Sequence, residues 1–151
     1  MVEYKKILFP VDLSTTSGKI IPHVKKLVET FGAELQVLHV ASEQEYYVKK
    51  VKDQFVGSEE EPGKSVNAEM KTFKDEYLPD VSESNVEVIV GEADDEILKY
   101  IDNNGIDLIV MAIRGRSLLD KAVFGSVAAN VARASTVPVF FINPLMDKFI
   151  Q

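Results

Sequence analysis

The 151-residue chain predicts an open α/β domain, a parallel sheet with helices on both faces. Three observations predict it. Five short apolar, β-branched runs recur along the chain: Ile7–Val11, Leu35–Val40, Val86–Val90, Ile106–Met111 and Val137–Ile142. Helical patterns lie between most of them, and strands alternating with helices imply right-handed crossovers and parallel pairing. The fourth run passes into Met111-Ala112-Ile113-Arg114-Gly115, and the stretch closes at Gly125-Ser126, just before another helical pattern. A buried strand that runs into glycines and then a helix is a phosphate cradle. Glycine lets backbone N–H groups approach an anion, and the helix N-terminus adds partial positive charge.

The elements follow in order. The first run ends in Pro10-Val11-Asp12. Ser17 to Phe31 reads as one helix, with Ile20, Ile21, Val24, Leu27, Val28 and Phe31 at helical spacing and Gly32 as its stop. From Ser42 to Ser84 the chain makes a long crossover, expected to be a solvated connection, with a lid or a partner contact as the alternative. Tyr46, Tyr47, Val51 and Phe55 suggest a helix, Gly57 to Gly63 breaks it, and Val66, Met70, Phe73 and Tyr77 space out as a second helix ending at Pro79. Asp94 to Asn104 carries Ile97, Leu98 and Ile101, with Asp94 or Asp95 as cap and Gly105 as stop. The last helix starts at Ser126 and presents Val127, Val131 and Ala134. No internal repeat and no second domain emerge, so residues 1–151 read as one domain.

Composition narrows the function. The net charge of −7 argues against general nucleic-acid or membrane binding. No run approaches the roughly 20 apolar residues of a membrane helix. The N-terminus lacks the long apolar stretch and cleavage site of a signal peptide, so the expected compartment is the cytoplasm. The chain has no cysteine, which excludes disulfides, thiol catalysis and cysteine-bound zinc. Between Met111 and Ser135, however, Arg114, Arg116, Lys121 and Arg133 stand against Asp120 alone, a local net of +3. A basic segment that also holds the glycines suits a small anionic ligand.

Several tempting motifs fail. Gly63-Lys64-Ser65 is no P-loop: five residues separate Gly57 from Gly63 where four are needed, no strand precedes it, and Glu59 to Glu61 would repel phosphate. His23 and His39, the only histidines, have no converging ligand cluster and are expected to be structural. No Gly-x-Ser-x-Gly elbow supports a nucleophilic serine. Asp12, Val40-Ala41 and Met111-Ala112 all fall at carboxyl ends of strands, where open parallel sheets bind ligands. At Asp12 a plain turn or helix-cap role is the alternative.

Ile7-Leu8-Phe9-Pro10-Val11-Asp12-Leu13-Ser14, Leu38-His39-Val40 and Gly91-Glu92-Ala93-Asp94-Asp95-Glu96-Ile97 resemble three segments of the universal stress protein family. The strongest match is that family's Gly-x2-Gly-x9-Gly-(Ser/Thr) motif, here Ala112-x2-Gly115-x9-Gly125-Ser126, followed by Val137-Pro138-Val139. The spacing is kept and one glycine is replaced. The resemblance implies a Rossmann-like, adenine nucleotide alpha hydrolase-like fold with strand order 3-2-1-4-5, and a homodimer through Val137 to Ile142. It implies ATP or AMP, with or without magnesium, as ligand, in a regulatory or sensing role with an unidentified protein partner. Asp12 and Val40 would hold the adenine, Pro10 and Val11 would line its pocket, Ala112 would lie near the ribose, and Met111 would be a further contact to the nucleotide. Gly115, Gly125, Ser126 and Val127 would cradle the phosphates, with Arg114 beside them. One branch of the family binds no nucleotide, and Ala112 and Ala128 would fit an interaction dimer of that kind. A slow ATPase is a third reading, with Asp120 the one carboxylate near the phosphate segment.

Overall fold

The computed structural model describes residues 1–55, 65–113 and 125–145. Five strands form one all-parallel sheet: β1 (Lys6–Pro10), β2 (Glu34–Ala41), β3 (Val86–Val90), β4 (Leu108–Ala112) and β5 (Val139–Ile142). Their order is β3-β2-β1-β4-β5, so the chain first steps outward to one side of β1 and then returns to the other. The helices are α1 (Thr15–Lys19), α2 (Ile21–Phe31), α3 (Glu43–Phe55), α4 (Val66–Tyr77), α5 (Ala93–Asn103) and α6 (Ser126–Ala134).

The two-residue period of the strands sorts the core into two layers. Ile7 and Phe9 of β1, with Leu35, Val37, Leu108 and Val110, face Ile21 and Val24 of α2 and Met70 and Phe73 of α4. Leu8, Leu38, Ile109 and Met111 face Ile97, Tyr100 and Ile101 of α5 and Ala128 and Val131 of α6. Central strands buried on both faces explain why their sequences read as unbroken apolar runs.

The register depends on a few polar contacts. Asp107 Oδ2 accepts from the backbone N–H of Lys5 (2.9 Å) and Lys6 (3.0 Å), while the Asp107 N–H donates to the Lys6 carbonyl at 2.9 Å. This clamp aligns the start of β1 with β4. In the second layer the Tyr100 hydroxyl donates to Gln36 Oε1 at 3.3 Å. Burial, then the Glu87 carboxylate and finally Glu34, push that hydroxyl up to about 12.

Some boundaries differ from those expected. The predicted Ser17–Phe31 helix is two helices that break at Ile20, with Pro22 in the first turn of α2. Proline lacks the N–H that a continuous helix would use there. Ile106 and Asp107 lie outside β4, whose pairing starts at Leu108. Val137 and Pro138 precede β5. On α6 the buried residues are Ala128 and Val131, and Ala134 is exposed, because the last turn overruns the sheet-facing surface. Glu92 is the N-cap of α5 and makes no side-chain capping bond, and Asp94 and Asp95 lie in the first turn. Gly32 closes α2 with φ +60 and Gly105 turns the chain after α5 with φ +62, conformations costly for other residues. The expected Gly57–Gly63 break lies outside the described residues.

Two outcomes follow. Asp107→Asn removes the charge from both clamp bonds and should lower stability by about 1–2 kcal/mol in urea unfolding. Tyr100 keeps its proton in the folded chain above the ordinary phenol value of 10.0. The folded state then holds more protons than the unfolded one, so stability should fall as pH rises from about 10 to about 12. Denaturation midpoints across that window should show the fall, and Tyr100→Phe should flatten it.

Candidate nucleotide site

β1 pairs with β4 only at Ile7↔Leu108 and Leu8↔Ile109, whereas its pairing with β2 continues to Pro10↔Leu38. The reason lies in β1. The Asp107-to-Lys6 bond shows that the even-numbered residues of β1 turn their backbone groups toward β4. Pro10 is one of these, and it has no N–H to continue that ladder. Val11, the next residue, turns the other way and donates to the Leu38 carbonyl at 2.8 Å. The sheet therefore stays closed toward β2 and opens toward β4.

A cavity of about 270 Å³ occupies the opening. Pro10, Val11 and Asp12 enter it from the end of β1, Leu38, His39 and Val40 from β2, and Met111, Ala112 and Ile113 from β4. Ala93 and Ile97 of α5 and Gly125 to Ala128 at the start of α6 complete the wall. All nine of the expected site residues that fall among the described ones line this cavity: Pro10, Val11, Asp12, Val40, Met111, Ala112, Gly125, Ser126 and Val127. Arg114 and Gly115 lie outside the described residues, as do Arg116, Asp120 and Lys121.

The turn after β1 is built around Asp12. Its Oδ1 accepts from the Ser14 N–H (3.0 Å), from the Ser14 hydroxyl, and from the Ser17 hydroxyl (2.9 Å). The Asp12 N–H in turn donates to Ser17 Oγ at 3.1 Å. Ser14 also caps α1 through the Thr16 N–H. Leu13, between them, has φ +63, the one positive-φ non-glycine residue among those described. That conformation costs roughly 1–2 kcal/mol for an L-residue, and the bonds on either side hold it. Asp12 therefore takes the turn role, Ser14 and not Asp12 caps α1, and Asp12 also borders the cavity.

His39 fills the structural role expected of it and also borders the cavity. It is 3% exposed and forms part of the cavity wall. Its Nδ1 donates to the Val11 carbonyl at 2.8 Å, and its Nε2 lies 3.2 Å from Glu45 Oε1 on α3. A carbonyl only accepts, so the Nδ1 proton is assigned by geometry. The residue ties the ends of β1 and β2 to α3. Its place on β2, next to Val40, was the available signal. Ser17, Leu38, Ala93, Ile97, Ile113 and Ala128 are further lining residues that sequence reasoning did not select. The expected structural His23 lies on α2, away from this wall.

The start of α6 has the form of an anion site. The Gly125 N–H donates to the Ile113 carbonyl at 3.0 Å, so the chain that leaves β4 is held where it returns to α6. The first helical bond of α6 runs from Ala129 to the Gly125 carbonyl. The N–H groups of Ser126, Val127 and Ala128 precede it and have no partner within the helix. They sit at the positive end of the helix dipole, beside the cavity. Ala112 is not among the positive-φ residues, so its methyl needs no strained backbone. Among the described residues no group of three His, Asp or Glu is placed to hold a metal ion, and no helix is long and apolar enough to cross a membrane.

Comparison with known proteins agrees with this architecture. Residues 3–143 match the universal stress protein family. A universal stress protein of Methanothermobacter thermautotrophicus is 30% identical over 95% of this chain and 99% of its own length. One from Methanocaldococcus jannaschii is 28% identical over 94% of this chain and 96% of its own. The solved structure of the latter superposes with a TM-score of 0.71, at 32% identity over 94% of this chain and 97% of that one. A universal stress protein solved in complex with cAMP shares the fold, with a TM-score of 0.62 at 21% identity, over 94% of this chain and 98% of that one.

Ser17→Ala takes from Asp12 both a donor to its carboxylate and the acceptor of its N–H. The expected loss is about 1–2 kcal/mol in thermal or urea unfolding, and Ser17→Thr should recover part of it.

Proposed function

The chain belongs to the universal stress protein family, and on that premise we propose that it is a regulatory protein that binds an adenine nucleotide, ATP or AMP. The observation that carries this reading is the convergence of the motif residues on one cavity at the switch point of the sheet. Pro10, Val11, Val40 and Met111 offer apolar walls to a flat base. The Asp12 carboxylate is an acceptor suited to an exocyclic amine, which adenine has and guanine lacks at the corresponding ring position. The N–H groups of Ser126 to Ala128 receive the phosphates, and Arg114 and Gly115 complete the cradle. A protein of the same fold in complex with cAMP, itself an adenine nucleotide, is in keeping with this reading.

The role is signalling rather than turnover. Among the described lining residues Asp12 is the only carboxylate, and the turn bonds of its Oδ1 suit reading a base better than activating water. Nucleotide acts by population shift: it favours one arrangement of the 112–126 segment and so changes the surface that a protein partner meets. The protein works in the cytoplasm as a homodimer through β5. That strand is an edge of the sheet and exposes Phe140, an arrangement that pairing would relieve.

Calorimetry with ATP, AMP and GTP, with and without magnesium, tests the reading after co-purified nucleotide has been removed. Adenine-selective binding in the micromolar range is expected, and absence of binding up to millimolar nucleotide refutes it. Gly125 has φ −53 and ψ 143, open to any residue, so Gly125→Val should fold normally. Its side chain would nevertheless obstruct the phosphates and abolish binding. Unchanged affinity in that variant would remove Gly125 from the site.

A further inference from the structure

α3 is an amphipathic helix turned outward. Tyr47, Val48 and Val51 are 59%, 48% and 48% exposed. At 3.6 residues per turn they fall on one face together with Gln44. The opposite face holds Glu45, which reaches inward to His39 at 3.2 Å, and half-buried Tyr46. A helix that serves only its own domain buries the apolar stripe and exposes the charge. Among the described residues no other element exposes more than one large apolar side chain. A contiguous exposed patch of this kind marks a surface used by a partner.

We propose that the partner is a second copy of this chain, with α3 packed antiparallel against α3. The charges select this occupant. Glu43 and Lys50 are exposed and seven residues apart, so they line the same flank of the stripe. In a two-fold antiparallel pair the same flank of each helix meets its counterpart, with acidic and basic ends exchanged. Glu43 then faces Lys50 of the partner subunit, and Tyr47 packs near Val48 of the partner subunit close to the axis. Parallel pairing would set this flank against the opposite flank of the second helix and leave the Glu43–Lys50 match unmade. The segment that follows α3, residues 56–64, is poor in apolar residues, with Val56 among three glutamates, and does not suit the stripe as cover.

One short helix face is smaller than the roughly 1,200 Å² or more of a stable interface. The pairing is therefore weak alone and concentration-dependent, and it strengthens when another contact already joins the copies. It is distinct from the β5 edge and independent of nucleotide binding.

The absence of native cysteine makes the test direct. Val48→Cys supplies a single thiol near the two-fold axis. A short bismaleimide at micromolar protein should give covalent dimer in severalfold higher yield than Lys26→Cys on exposed α2. Glu43→Lys should reduce the yield severalfold, and Glu43→Lys with Lys50→Glu should restore it. Phe140→Glu, which disrupts the β5 edge, should leave an α3-linked dimer in place. Equal yields from positions 48 and 26, or a yield that ignores the charge reversals, overturn the proposal.

Discussion

The carboxyl end of the sheet is organised by the place where β1 stops pairing with β4. Up to Leu8 the two strands share a ladder. At Pro10 the missing N–H falls on the side that faces β4, while Val11 still donates toward β2. A fully paired sheet would have closed this space with backbone hydrogen bonds. Instead the strands separate, and the cavity lies between the end of β1 and the start of α6. The Asp107 clamp at the other end of β1 has the complementary effect, because it fixes the register from which the separation begins.

The turn after β1 carries strain where the cavity begins. Leu13 in the left-handed region is unfavourable by itself. The Asp12 carboxylate offsets that cost by gathering the donors of Ser14 and Ser17. The carboxylate is consequently held in one orientation before any ligand arrives. A preorganised acceptor loses little freedom on binding a donor. The N–H groups at the start of α6 are equally fixed by the helix itself. The Gly125 N–H donates to the Ile113 carbonyl at 3.0 Å, which ties the end of β4 to the start of α6.

The helices differ in how they use the sheet. α2, α4, α5 and α6 bury apolar stripes against its two faces. α3 sends Glu45 inward to His39 and leaves Tyr47, Val48 and Val51 outside. The same short helix therefore touches the cavity wall and presents the candidate contact between copies.

Much of the architecture was legible in the chain itself. Both-face burial makes strands read as unbroken apolar runs, helices show their period, and Gly32 and Gly105 mark helix ends. The glycine spacing around residues 112–126 pointed to an anion cradle because backbone N–H groups need small residues nearby. These are local signals, set by steric and burial rules within a few neighbours. What only the tertiary structure decided is non-local. The break at Ile20, the delayed start of β4 and the exposure of Ala134 depend on where other elements end. The structural part of His39 was legible, but nothing within a few residues reveals that its ring meets Val11, twenty-eight positions away. The segment that forms α3 read as a solvated connection, with a lid or a partner contact as the alternative, because period alone shows that a stripe exists and never which way it faces. That direction is a matter of packing, and packing is decided by the whole chain.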